Sequence, residues 1–176
     1  MTLHSTKKSR LLPALIAALS VSLTPMVAQA AGGATPDEIV AKVKEAAAML
    51  ARDGAAGLAQ INDPGGEWVW KDTYVFALDC SDKSVVAHPV QPELIGRSLT
   101  DIKDSKGNEF LVYMCLASKV PGGGWVEYWW PIPGMGADQA VRKISFIQQV
   151  EGTPYQVAAG VYDETVSLWT LNESSR

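Results

Sequence analysis

The chain has 176 residues, 47% of them hydrophobic and 19% charged, with a net charge of −4 and two cysteines. An acidic balance without a clustered Lys/Arg stripe gives no support for nucleic-acid binding or for attraction to an anionic membrane surface. The Cys and His content is too small for a zinc site, and neither a phosphate loop of the Gly-x-x-x-x-Gly-Lys kind nor a Gly-x-Ser-x-Gly elbow occurs.

The N-terminus reads as an export signal. Lys7, Lys8 and Arg10 precede the apolar run Leu11 to Leu23, and Ala28-Gln29-Ala30 supplies a small-x-small cleavage pattern. The run is short for a membrane span, which needs about 20 apolar residues. Residues 1–30 are therefore expected to be removed near Ala30–Ala31, with retention as an anchor the alternative. The mature product, residues 31–176, is expected to be one periplasmic or secreted domain without a membrane span. Loss of the three signal cations takes the net charge from −4 to −7. In that compartment Cys80 and Cys115 are expected to form a disulfide, the alternative being two small buried thiols.

Thr35-Pro36-Asp37-Glu38 is a helix start: Thr as N-cap, Pro in the first turn, and Glu three residues after the cap. Ile39, Val43, Ala47 and Leu50 then recur at helical spacing, and Gly54 supplies the stop. A shorter helix is predicted over Ala55 to Ile61. After the turn at Asn62 to Gly66 the period changes. Thr73 to Leu78 is apolar on both parities, as in a strand covered on both faces, and Val85 to His88 completes a hairpin. Pro89 to Asp104 is irregular chain with apolar anchors, and Asn108 is a candidate N-cap for a helix carrying Phe110, Met114 and Ala117 on one face. Trp125 to Trp130, Lys143 to Val150 and Tyr155 to Tyr162 are predicted strands. The tail from Asp163 is predicted to begin as a helix and then fray. Consecutive hairpins imply an α+β fold: a mostly antiparallel, PAS-like sheet of about five strands. A long N-terminal helix packs on one face and a loop-helix segment covers the other.

Seven short motifs follow one another in this order: Trp70-x-x-x-Tyr-Val-Phe76, His88-Pro89, Pro92-Glu-Leu-x-Gly96, Asp104-x-x-Gly107, Gly124-Trp-Val-Glu-Tyr-x-Trp-Pro131, Arg142-Lys-Ile-Ser-Phe146 and Ala159-Gly-Val-Tyr162. Together they resemble the single Cache domain of type 2, over about Pro36 to Asp163. The resemblance implies an extracellular sensor with a pocket under the loop-helix segment, binding a small organic acid and feeding signal transduction or chemotaxis. The chain runs only a short way past the sensor core, so a separate membrane receptor or kinase is the expected partner. No cofactor is implied.

The candidate ligand-binding residues are Trp70, Tyr74, Phe76, His88, Tyr113, Tyr128, Trp130 and Lys143. A lysine inside a strand points inward or outward, and an inward one needs an anionic partner because burying a lone ammonium is costly. Lys143 is expected inward, with Arg142 on the opposite face. His88, the one histidine of the mature chain, is either a donor to the ligand or a structural cap on the following loop. Tyr128 either meets a ligand oxygen or packs in the core. Tyr74 and Phe76 share a parity and suit the pocket floor, with Trp70 and Trp130 as walls. Tyr113 sits on the helix expected to cover the pocket. Tyr162, Asp101 and Asp104 read as structural. A module that docks a receptor without any small molecule is the alternative function, and a hydrolase using His88 the third. Neither reading needs a metal.

Overall fold

A computed structural model describes residues 1–2 and 32–175. The expected signal segment from Leu3 onward, and its cleavage point, lie outside the described residues. No helix among those residues is long and apolar enough to cross a membrane.

Helix α1 spans Pro36–Asp53 and starts as the sequence predicts. The Glu38 amide donates to Thr35 Oγ1 at 3.3 Å, and the Thr35 amide donates back to Glu38 Oε2 at 2.8 Å, a complete capping box. Gly54 ends it with φ 56° and donates to the Leu50 carbonyl at 2.8 Å. Helix α2, Ala55–Ile61, follows at once. Strands β1 (Val69–Trp70) and β2 (Thr73–Tyr74) form a small hairpin. Then come β3 (Phe76–Asp79), β4 (Ser84–Ala87), α3 (Phe110–Ala117), β5 (Gly124–Pro131), β6 (Ala140–Gln149), β7 (Tyr155–Tyr162) and α4 (Leu168–Ser174). The main sheet is antiparallel, with strand order β4-β3-β7-β6-β5.

Strand alternation divides the apolar residues between two cores. Ile144 and Phe146 of β6 and Val157, Ala159 and Val161 of β7 face Ile39, Val43, Ala46 and Leu50 of α1. The other face carries Tyr74, Phe76, Leu78, Tyr128, Trp130 and Ile147, covered by Leu94, Ile102 and the α3 residues Phe110, Leu111 and Met114. The expected architecture is therefore present. Gly160 of β7 lies opposite Ser145 of β6, and a Cβ there would fall onto Ser145 Oγ and within 2.7 Å of the Ile144 carbonyl oxygen.

Three local expectations are corrected. The strand expected over Thr73 to Leu78 is interrupted at Val75, whose amide donates to the Trp68 carbonyl at 2.8 Å and so turns the chain from the small hairpin into the main sheet. Asn108 does not cap α3; its Nδ2 donates to Asp104 Oδ2 at 2.9 Å, and the helix starts after Glu109 without a side-chain cap. In the tail the order is reversed. A turn held by the Asp163 carboxylate comes first, then a helix capped by Ser167 that docks on β5 through Asn172, whose Oδ1 accepts from the Trp125 amide at 2.9 Å.

Cys80 and Cys115 form a disulfide across 35 residues, tying α3 to the turn after β3. A closed loop of that length stabilises the fold by roughly 3–4 kcal/mol through restriction of the unfolded chain. The double variant Cys80→Ser, Cys115→Ser should lose about that much in urea denaturation. A loss below about 1 kcal/mol would mean that the packing of α3 alone holds the cover in place.

Candidate ligand pocket

Between the sheet and its cover lies a cavity with about 10 Å³ of open space, lined on the sheet side by Tyr74, Phe76, Leu78, Tyr128 and Trp130, and by His88. Its cover comes from Leu94, Ile102, Phe110 and Leu111. The walls are almost wholly apolar, so the few polar groups decide what the space can hold.

Lys143 is the decisive one. Register with Tyr162 of β7 and Tyr128 of β5 puts it in the middle of the sheet, on the cavity side, fully buried. Arg142, on the opposite parity, reaches outward to Glu127 at 2.7 Å and to the carbonyls of Asp163 and Val166. Lys143 Nζ makes no hydrogen bond to any described residue. It sits 3.9 Å from the ring centre of Tyr74, 4.8 Å from that of Tyr162 and 5.9 Å from that of Phe76. Aromatic faces attract an ammonium, but each such contact is worth only about 1–2 kcal/mol. Burial pushes the Lys143 ammonium down to about 7, with the charge of Asp72 acting weakly the other way.

Of its two expected roles, His88 shows the structural one. Nδ1 accepts the Gln91 amide at 2.9 Å, capping the turn after the strand. That bond puts the proton of the neutral ring on Nε2. The ring itself stands 4.8 Å from Tyr74 and 5.8 Å from Phe76. Burial, and then the charge of Lys143, hold its pKa at about 3, so the ring is neutral at physiological pH. Tyr128 is stacked on Phe110 at 4.1 Å, and its hydroxyl pairs with Ser145 Oγ at 2.9 Å. Trp130 Nε1 donates to Gln91 Oε1 at 2.9 Å. Among the described residues no cluster of His, Cys, Asp and Glu is arranged to hold a metal.

The profile of the Cache domain family matches residues 68–167. The chain belongs to that family. It is 32% identical over 95 residues to the methyl-accepting chemotaxis protein McpP of Pseudomonas putida, an alignment covering 54% of this chain and 17% of that protein. The chain thus spans about a sixth of that curated relative's length. Two solved structures are similar over 73% of the chain. One is the periplasmic sensor domain of a chemotaxis protein, with 90% of its length covered, a TM-score of 0.56 and 25% identity. The other is a Cache chemosensory domain described for its recognition of carboxylic acids, with 92% covered, a TM-score of 0.60 and 26% identity. A methyl-accepting chemotaxis protein from Vibrio parahaemolyticus shares the fold at 18% identity and a TM-score of 0.57, with 74% of this chain and 90% of that one covered.

In this Cache domain Tyr74, Phe76, His88, Tyr128 and Trp130 line one space, and Lys143 stands behind it against the Tyr74 and Phe76 rings. Two expected members lie elsewhere. Trp70 pairs with Thr73 across the β1–β2 hairpin, and alternation there sends Val69 to the cavity side and Trp70 to the α1 side. Tyr113 is 55% exposed, because it lies about 200° round α3 from the inward-facing Leu111. Ser145 was legible, since it follows Lys143 by two positions and must share its face. Gln91, Leu94 and Ile102 come from irregular chain, where no period marks a side chain's direction.

The buried ammonium has a stability consequence with a definite sign. Its folded pKa of about 7 lies below the ordinary lysine value of 10.5, so the unfolded chain binds more protons between those values. The penalty is complete below pH 7 and fades as pH rises to 10.5. Lys143→Met should therefore stabilise the domain by about 1–4 kcal/mol near pH 7, with the gain shrinking towards pH 10.5. Urea melts at several pH values check this; a destabilised variant would show that Lys143 has a structural partner.

Proposed function

We propose that this Cache domain is an extracytoplasmic sensor that reversibly binds a short carboxylic acid in the enclosed cavity. It passes the signal to a membrane receptor or kinase for chemotaxis or a related response. The observation that carries the reading is Lys143: a fully buried ammonium with no hydrogen-bond partner among the described residues, on the sheet face that carries the apolar cavity. A fold retains such a costly group where a bound anion compensates it. The open space between the walls is about 10 Å³, room for a single water, so only a short acid that displaces wall side chains suits it. A carboxylate on Lys143 would have the neutral His88 ring and the Tyr128–Ser145 hydroxyl pair as further hydrogen-bonding groups. The apolar walls would take its hydrocarbon end. The acid recognition described for a structurally similar Cache domain supports this class of ligand. The disulfide suits an oxidising compartment outside the cytoplasm. The donors and walls of the site fit binding and release rather than turnover.

The alternative, a docking module without a small molecule, draws on the outer side of α3, where Tyr113 and Leu116 are exposed. Calorimetry with C2 to C6 carboxylates separates the two readings, since the docking module would give no heat with any of them. Loss of one charge-assisted contact in Lys143→Met should weaken binding about tenfold to a hundredfold. In the wild-type domain, binding an anion favours the charged lysine, so complex formation above pH 7 should take up a proton. Affinity should then fall by up to about tenfold per pH unit as pH rises past 7. Unchanged affinity in Lys143→Met, or no proton uptake at pH 8, would remove Lys143 from the site.

A further inference from the structure

The cavity leaves about 10 Å³ of open space, too little for a carboxylic acid, so a ligand reaches Lys143 only when part of the wall moves. The α3 side is the costlier part to open. Phe110, Leu111 and Met114 are packed inward there, Phe110 is stacked on Tyr128, and the Cys80–Cys115 disulfide ties the helix to the turn after β3. Trp130 offers a different route. It borders the inner cavity and also a second, open cavity of about 260 Å³ lined by Gln91, Lys103, Ser105, Pro131 and Ala140. One residue thus borders both spaces. Its indole Nε1 donates to the Gln91 side chain in a neutral hydrogen bond of 2.9 Å, with the Tyr74 hydroxyl as a second neighbour. Gln91 meanwhile uses its backbone amide, not its side chain, to hold His88. The side chain can let go of Trp130 without disturbing the histidine.

We infer that the outer cavity is the port of the binding site and that the Gln91–Trp130 hydrogen bond is its latch. This rests on the proposed binding of a carboxylic acid at Lys143. Swinging Trp130 breaks its hydrogen bond to Gln91 and its ring contact with Phe110, and leaves Leu111, Met114 and the disulfide in place. Charge at the mouth is balanced: Lys103 pairs with Glu109 at 3.3 Å, and Lys106, over the Trp129 ring, offsets the Asp104 carboxylate. The latch, not long-range attraction, sets the rate of access.

The test uses Gln91→Leu, which removes the acceptor, and Gln91→Glu, which keeps one. Propionate is the probe, followed by stopped-flow tryptophan fluorescence. A latch speeds arrival and departure together. Gln91→Leu should raise kon and koff each about fivefold, the equivalent of one neutral hydrogen bond of about 1 kcal/mol, with Kd unchanged within about twofold. Gln91→Glu should stay close to the wild-type rates. Hydrogen exchange of the Trp130 Nε1–H in the free protein should accelerate by the same factor in Gln91→Leu. Unchanged exchange overturns the latch. Faster exchange with unchanged propionate rates places the port elsewhere. A rise in koff alone makes Gln91 a contact of the bound state instead. Faster exchange in a protein that binds no propionate overturns the port through failure of the carboxylate reading, a result distinct from failure of the latch.

Discussion

The structure depends on one unfavourable choice, an ammonium placed inside a packed sheet without a carboxylate to neutralise it. Lys143 occupies a position that a methionine could fill at lower free energy. Around it the protein supplies aromatic faces, from Tyr74, Tyr162 and Phe76, and no anion within hydrogen-bonding distance among the described residues. Cation–π attraction recovers part of the desolvation penalty and leaves the rest standing. The remaining imbalance is what a carboxylate would relieve. It also makes the site selective, since an uncharged molecule of similar shape would leave the ammonium as it is.

The rest of the fold can be understood as the support this choice requires. Gly160 lets β7 lie close against Ser145, which keeps the floor shallow beside Lys143. The Thr73 hydroxyl donates to the Gly160 carbonyl at 2.6 Å and joins the small β1–β2 hairpin to that floor. The same hairpin reaches the start of α1. Lys71 pairs with Glu38 at 2.7 Å, and the Asp72 carboxylate accepts the Ala34 amide at 2.9 Å. Asp72 is also the charge that acts on Lys143. One short hairpin therefore touches both the binding site and the helix on the far side of the sheet. On the near side, the disulfide and the stacked Phe110–Tyr128 pair keep the cover rigid.

Much of this was legible in the sequence because it rests on period and capping. The Thr35–Glu38 box, the glycine stop at Gly54 and the alternation of β5, β6 and β7 are local patterns. They place α1, Lys143, Tyr128 and Trp130 correctly. Where chain direction changes within one or two residues, period carries no information. The break at Val75 is set by a long-range bond to the Trp68 carbonyl, and the two-residue strand before it reverses the expected side of Trp70. On α3 every residue from Phe110 to Ala117 is apolar or weakly polar. No polar face marks the outside, and Tyr113 could not be assigned to it from pattern alone. Asn108 looked like a cap but is taken by Asp104, a competition visible only once the turn is built. Family resemblance supplied the pocket's location; the geometry supplied Gln91 and Ser145.

The central claim is that the Lys143 ammonium is destabilised by burial and restored by an acid. Carbon-13 NMR of the lysine Cε resonances, followed from pH 5 to pH 11 with and without a bound short carboxylate, measures this directly. The account predicts one lysine titrating at about 7 in the free domain. That signal should move upward by roughly two units or more on binding and be missing in Lys143→Met. A Lys143 that titrates with the surface lysines, and does not respond to any short acid, would contradict it.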